Sequence, residues 1–189
     1  MEITPQDTLT TRCAPVYGAD TGKGGAMTEK EQFLGTWERE VPTTLKVLKA
    51  YPAAKADLKP HPKARSAKEL AWTFVFEGVG GAQALDGELK FPPKNMPPVP
   101  DTWDAMVREC ERALRGLGDK VRKASDADLN KTVKFFTGPK QMADVRRLDF
   151  FWFLLMDMVH HRGQMSVYLR MADGKVPSIY GPSADEPWS

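Results

Sequence analysis

The sequence has little cysteine and no long apolar run. Only two cysteines, Cys13 and Cys110, occur among its 189 residues, and they do not form a closely spaced metal-binding or redox pair. Cys110 lies on the apolar stripe of a predicted helix, so we expect a small core residue there. Few cysteines and no secretion-signal pattern favour a reducing, cytoplasmic setting. No stretch of about 18 apolar residues is present, so the sequence predicts no membrane span.

The sequence also lacks an excess of charge of one sign. It has 27 basic and 25 acidic residues, a net charge of +2, and its basic residues are spread along the chain. This distribution does not indicate nucleic acid as a partner. Glycine-rich phosphate loops and the common zinc-protease and serine-hydrolase motifs are absent as well. The 41% hydrophobic and 28% charged fractions are typical of a soluble globular protein, and the length fits one domain.

Apolar spacing and helix-start signals predict four helices joined by long connections. Residues 1–26 are interpreted as an irregular N-terminal extension, and residues 27–189 as the domain with an irregular C-terminal tail. Thr28 with Glu31, and Ser66 with Glu69, have the spacing of capping boxes at two helix starts. The predicted helices run over about 28–50, from 66 to a glycine-rich end near 78–81, over 103–124 and over 140–172. A proline-rich crossing covers 88–100, and 130–137 is a short extended candidate. This pattern predicts an all-α four-helix bundle with long crossover connections and no convincing strands.

The last predicted helix carries a polar cluster inside an apolar surface. At about 100° per residue, one face contains Phe150, Leu154, Asp157, His161, Gln164 and Tyr168. Asp157 and His161 are one turn apart, so both side chains can reach one point. Two interpretations stay open: a pair of metal ligands, or a buried hydrogen-bonded couple that fixes the packing of the helix.

Other polar residues are candidates for the same pocket. Thr73 and Glu77 are one turn apart on the second helix, and Glu77 could supply a metal-binding oxygen or act as a base; alternatively it pairs with Arg162 or a lysine. His160 lies about 100° around the helix from His161, which favours a bond across the bundle or to a neighbouring chain over metal ligation. Gln164 is a candidate pocket residue, and Tyr168 is expected in the core with its hydroxyl bonded.

Three segments in order resemble the DinB/YfiT-like metalloenzyme superfamily. They are FLGTWEREVPTTLKVLKAYP at 33–52, SAKELAWTFVFEG at 66–78 and HHRGQ at 160–164, which is followed by MSVYLRM. The resemblance implies a four-helix bundle, often dimeric, that holds a divalent metal with three side chains. Two ligands come from the last helix and the third is a histidine of the second helix. Members include thiol-dependent transferases, and many have no known activity.

Applied to this sequence, the resemblance implies Asp157 and His161 as metal ligands. Thr73 falls where the family usually has histidine, and a neutral hydroxyl is a poor ligand for nickel or zinc. Glu77 would then complete the ligand shell or act as the catalytic base, while Thr73, His160, Gln164 and Tyr168 line the pocket. The metal would be Ni, Zn or Mn, if one is bound at all.

The sequence therefore leaves two functions open. One is a metal-dependent transferase or hydrolase that acts on a small electrophilic molecule, with a low-molecular-weight thiol as a candidate cofactor. The other is a non-catalytic small-molecule-binding or structural bundle whose metal site has been lost. The resemblance also implies a homodimer, to which Trp103 and Trp152 would contribute if they are exposed.

Overall fold

The protein is mainly helical over the residues that the computed structural model describes, 26–91 and 94–188. The elements, in order, are α1 (Glu29–Ala50), a 3-10 turn (Ala53–Lys55), α2 (Ala67–Asp86), α3 (Trp103–Lys123), α4 (Asp126–Leu129), β1 (Thr132–Gly138), β2 (Gln141–Arg146) and α5 (Arg147–Met171). Helices α1 and α2 each pack against both α3 and α5. No helix in this part of the chain has the length and apolar character needed to cross a membrane. The predicted N-terminal extension lies outside the described residues, apart from Ala26.

Both predicted capping boxes are present. The hydroxyl of Thr28 accepts a hydrogen bond from the backbone N–H of Glu31, whose carboxylate accepts one from the N–H of Thr28. Ser66 and Glu69 form the same reciprocal pair at the start of α2. Because each box satisfies backbone donors that have no partner inside the helix, these short signals set the helix starts correctly.

Helix α2 continues beyond its glycines, contrary to the predicted end near 78–81. It ends at Asp86, and Gly87 adopts the left-handed conformation with φ 76°. A Cβ atom at Gly78 would lie 2.4 Å from the carbonyl carbon of Ala113 on α3. These glycines therefore permit close packing of α2 on α3, and that packing outweighs their weak helix propensity.

A β-hairpin replaces the first part of the predicted fourth helix. The extended segment predicted at 130–137 is confirmed as β1, but the predictions of a helix from Lys140 and of no strands are wrong. Pro139 and Lys140 form the turn, with Lys140 at φ 59°, and β2 pairs antiparallel to β1. Helix α5 begins only at Arg147 and has 25 residues. The hairpin is held to it by Phe135, whose ring centroid lies 4.7 Å from that of Phe150.

The core contains two aromatic residues that connect neighbouring helices. Trp37 is buried and its indole N–H donates to the carbonyl oxygen of Leu114. Trp103 is also buried and donates to the carbonyl oxygen of Leu48 at 3.0 Å, so the expectation that Trp103 is exposed is wrong. Cys110 is fully buried, as predicted for a small core residue.

A buried arginine holds the irregular segment that follows α5. Arg162 is 1% exposed and donates to Glu40 Oε2 at 2.5 Å and to the hydroxyl of Tyr180. Its guanidinium also lies 4.9 Å from the centre of the Tyr180 ring. Arg162 therefore connects α5 to α1 and to the tail, and the alternative in which it pairs with Glu77 is wrong.

Candidate metal centre

Three potential ligands meet between α2 and α5. Glu77 comes from the middle of α2, while Asp157 and His161 come from adjacent turns of α5. His161 Nδ1 lies 3.2 Å from Glu77 Oε1 and 3.5 Å from Asp157 Oδ2. The side chains become more exposed in the order Glu77 (1%), His161 (13%) and Asp157 (31%). The cluster thus has a closed inner side at Glu77 and opens towards solvent at Asp157.

The distances from His161 Nδ1 to the two carboxylates fit a single divalent ion. One ligand atom from each of the three residues lies within 4.8 Å of the others. Ligands that bind one ion at about 2.1 Å are separated by roughly 3.0–3.4 Å, close to the two distances measured here. Two carboxylates and one neutral imidazole carry a charge of −2, which one divalent cation would balance.

Glu77 has a buried oxygen without a partner. Its Oε2 atom makes no hydrogen bond with any described residue and is shielded from solvent. Burial raises the pKa of Glu77 well above its ordinary value of 4.5, and the neighbouring charge of Asp157 raises that pKa further. A buried oxygen acceptor of this kind is costly unless a proton or a cation satisfies it. The unpaired oxygen therefore supports a fit between these residues and a metal.

The pKa of His161 is shifted in the direction that favours ligation. Burial lowers the pKa of His161 below its ordinary value of 6.5; Asp157 opposes this shift, while His160 and Arg65 contribute to it. The imidazole is therefore neutral near pH 7, which is the form that binds metals. Its ring also packs edge-on against Phe74, with 6.4 Å between the ring centroids, which fixes its orientation.

Thr73 lies on α2 one turn before Glu77 but is engaged elsewhere. Its hydroxyl oxygen accepts a hydrogen bond of 2.9 Å from Nη1 of Arg65. A neutral hydroxyl is also a poor metal ligand, whereas Glu77 offers a carboxylate oxygen within the cluster. In this chain the ligand from α2 would therefore come from position 77, and Thr73 serves to hold an arginine.

Two adjoining grooves lead to the cluster from solvent. The larger has a volume of about 910 Å³ and is bounded by both cationic and aromatic side chains, among them Lys63, Arg65, Trp72 and Phe76, together with Thr73. Asp157 and His161 lie in its wall. The smaller, of about 510 Å³, is lined in part by Gln164, Val167 and Tyr168. His161 and Arg65 border both grooves, so a small molecule in either one would contact the same two side chains.

The remaining candidate residues occupy different environments. Tyr168 is buried and its hydroxyl donates to the carbonyl oxygen of Arg65 at 2.9 Å. Gln164 lines the smaller groove but is exposed, and its Nε2 lies 2.9 Å from Nε2 of His160. His160 is exposed and borders neither groove. His61 is exposed at the surface.

Arg65 is the site residue that the sequence analysis missed. It precedes the N-cap Ser66, in a loop whose path brings the guanidinium back to Thr73 eight residues later. The only signal in the sequence is that a basic residue stands immediately before the start of α2, the helix that carries Glu77. That signal is weak, because the conformation of an irregular loop cannot be inferred from periodicity.

Comparisons with known proteins identify related sequences. The sequence model of the DinB family matches residues 27–188. The uncharacterized protein YrdA of Bacillus subtilis (strain 168) is 27% identical over 158 residues, which cover 82% of this chain and 90% of YrdA.

Two crystal structures of DinB-like proteins share the fold. One, from Bacillus cereus ATCC 10987, has a TM-score of 0.62 at 24% identity and covers 79% of this chain and 97% of its own. The other, YjoA from Bacillus subtilis, has a TM-score of 0.61 at 12% identity, with 75% and 92% covered. Because the family match extends over nearly all the described residues, this chain belongs to the DinB family.

Proposed function

We propose that this chain is a metal-dependent enzyme of the DinB family, with a four-helix bundle formed by α1, α2, α3 and α5. Its ligands are Glu77, Asp157 and His161. The observation that carries the proposal is the position of Glu77: a fully buried carboxylate, with one unpaired oxygen, beside an aspartate and a neutral histidine. A cation satisfies all three groups at once, whereas a hydrogen bond between Glu77 and His161 leaves the second Glu77 oxygen without a partner.

The ligand set favours metals that accept oxygen donors. Two carboxylates and one imidazole form a harder set than three histidines, so manganese and zinc suit this centre better than nickel. A bound divalent ion would polarise a substrate or lower the pKa of a bound nucleophile. The closed inner side at Glu77 excludes water, and the open side at Asp157 faces the groove where a substrate would lie.

The reaction we propose is transfer to, or hydrolysis of, a small electrophilic molecule in the larger groove. Trp72 and Phe76 supply apolar walls, and Arg65 and Lys63 supply positive charge at the rim. We assign Glu77 to ligation rather than to proton transfer with substrate, because its 1% exposure leaves no path to a molecule in the groove. A low-molecular-weight thiol as co-substrate stays a prediction from the family resemblance.

Metal analysis of protein purified without a histidine tag tests the proposal. We expect about one equivalent of Mn or Zn in the wild type, and its loss in Asp157→Ala with His161→Ala. His160→Ala is the matched control, because this neighbouring histidine is exposed and bonds only to Gln164 among the described residues. Absence of metal from the wild type, even after incubation with Mn²⁺ and Zn²⁺, would favour the non-catalytic binding protein instead.

We also propose that the chain forms a homodimer through the outer face of α5. Phe153, Met156, Val167 and Met171 are between 47% and 66% exposed on this helix, and Gly163 lies among them with open space around it. Their spacing of three, four and seven residues places them on one stripe, as expected for a helix that packs against a partner. Light scattering should give a dimer mass for the wild type and a monomer mass for Met156→Asp, whose side chain is 66% exposed and lines neither groove. Val99→Asp, at an exposed position outside α5, is the control; a monomeric wild type contradicts the proposal.

A further inference from the structure

Arg65 occupies the place where the two grooves meet. It borders both of them, and so does His161 of the metal centre. The residue belongs to the loop before α2, and contacts with two helices hold it. Its carbonyl oxygen accepts the hydrogen bond from Tyr168 of α5, and its Nη1 atom donates to Thr73 of α2. The main chain and the guanidinium of Arg65 are thus both fixed.

The charge of Arg65 is not balanced by its neighbours. Its two hydrogen-bond partners are neutral, and no described carboxylate lies within ion-pairing distance of its guanidinium. A guanidinium has five N–H donors, and Thr73 accepts from one of them. Lys63, on the same rim, forms no ion pair with a described residue either, whereas Lys59 lies 3.6 Å from Glu69. The groove therefore has a rim with unused positive charge and directed donors.

The rim of the groove and the metal centre have opposite charge, so they bind ligand groups of opposite sign. Glu77 and Asp157 make the centre acidic until a divalent cation balances them, whereas the rim is cationic by itself. Trp72 and Phe76 lie in the wall of the same groove and offer contact area for the organic part of a ligand. A molecule with a negative group at one end suits this arrangement, because an arginine binds planar oxyanions with paired donors.

We propose that the groove binds a small organic molecule whose oxyanion group, a carboxylate or a phosphate, is held by Arg65 with Lys63 close by. The opposite end of this molecule lies beside Asp157 and His161, on the open side of the proposed metal centre, and this second part rests on the proposed metal-dependent function. Thr73 is a positioning residue in this arrangement. It occupies the family's usual histidine position and orients the arginine that selects the ligand.

Calorimetric titration of the full chain tests the inference. The probes are succinate, methyl phosphate and neutral succinamide, each added to EDTA-treated protein and to protein reloaded with Mn²⁺. We expect one of the two anions to bind and succinamide not to bind. Arg65→Gln should weaken that binding by about tenfold to a hundredfold, and added salt should weaken it further. Lys55→Gln, which removes an exposed charge outside the groove, should bind like the wild type.

Two substitutions of Thr73 test whether it positions Arg65. Thr73→Val removes the acceptor for Arg65 and should weaken anion binding less than Arg65→Gln does, while Thr73→Ser should restore wild-type affinity. Circular dichroism and metal content should be unchanged in both Arg65→Gln and Thr73→Val, which separates the loss of a binding group from unfolding. Which of the two anions binds more tightly identifies the oxyanion as carboxylate or phosphate.

The outcomes separate this inference from the proposed function. If Mn²⁺ loads normally but Arg65→Gln binds anions as well as the wild type does, the inference is wrong and the metal centre stands. If neither anion binds, or succinamide binds as tightly as succinate, the inference is also wrong. If no metal loads but anion binding still depends on Arg65, the oxyanion site is supported and the metal-dependent function is wrong.

Discussion

The side chains of Glu77 and His161 meet at 3.2 Å, although 84 residues separate them in the sequence. One is fully buried on α2, and the other lies on α5 beside Asp157. Burial raises the pKa of Glu77 and lowers the pKa of His161, so it favours the neutral form of both side chains. Glu77 and His161 therefore behave as one unit that can share a proton or bind a cation.

Replacing Glu77 by glutamine should weaken metal binding. The amide keeps the size of the side chain but is a poor ligand for Mn²⁺ and Zn²⁺, so we expect affinity to fall by at least about tenfold. Competition with a metal-sensitive dye gives the dissociation constants. Glu88→Gln is the matched control, since this glutamate is exposed just beyond the end of α2. Equal affinities in Glu77→Gln and wild type would exclude Glu77 as a ligand.

Without metal, the same substitution should change how stability depends on pH. The pKa of Glu77 is above 4.5 in the folded chain, so the folded state holds its proton at pH values where the unfolded state has lost it. Its contribution to the free energy of unfolding is therefore unaffected below about pH 4.5 and becomes increasingly unfavourable as pH rises above that value. Because glutamine does not titrate, Glu77→Gln should remove this loss of stability at higher pH.

Urea unfolding in EDTA between pH 5 and pH 8 measures the free energy of unfolding of wild type and Glu77→Gln. We expect Glu77→Gln to gain stability relative to wild type as pH rises. The depressed pKa of His161 costs stability as pH falls through 6.5. Because His161 contacts Glu77, the difference between the two proteins reports the titration of this pair. Parallel stability curves would show that Glu77 titrates normally.

A histidine at position 73, which the family resemblance implies as the usual ligand, should strengthen nickel binding. Thr73 is one turn from Glu77 on α2 and lies in the groove wall beside Asp157 and His161. Thr73→His adds an imidazole, which nickel prefers to a carboxylate, so nickel affinity should rise. Thr73→Val is the control, because it also loses the hydrogen bond to Arg65 but adds no ligand. Unchanged nickel affinity in Thr73→His would mean that position 73 does not reach the metal.

The contact between α2 and α3 should be sensitive to a single methyl group. Gly78→Ala places a Cβ atom 2.4 Å from the backbone of Ala113, so the helices must separate, at a cost of about 1–3 kcal/mol in unfolding free energy. Gly116→Ala in α3 has open space around its Cβ and should stabilise the chain by up to about 1 kcal/mol. Thermal or urea unfolding measures both. A stabilised Gly78→Ala protein would contradict the close helix approach.

The hairpin illustrates where sequence patterns fail. Residues 141–146 (QMADVR) do not alternate clearly between apolar and polar, and they lead directly into an apolar helix. They form a strand because β1 pairs with them and because Phe135 packs on Phe150. Both are contacts with other segments, and local periodicity contains no information about them.

The sequence by itself determined the starts of α1, α2 and α3, the polar cluster of α5 and the family. Capping boxes and helical spacing depend on neighbours within four residues, so they can be read directly from the chain. Only the tertiary structure decided that the carboxylate of Glu77 meets His161, and that Thr73 holds Arg65. These relationships depend on how α2 is rotated against α5 and on the path of the loop before it. Packing across the whole domain sets both, because side chains from distant segments must fill one core.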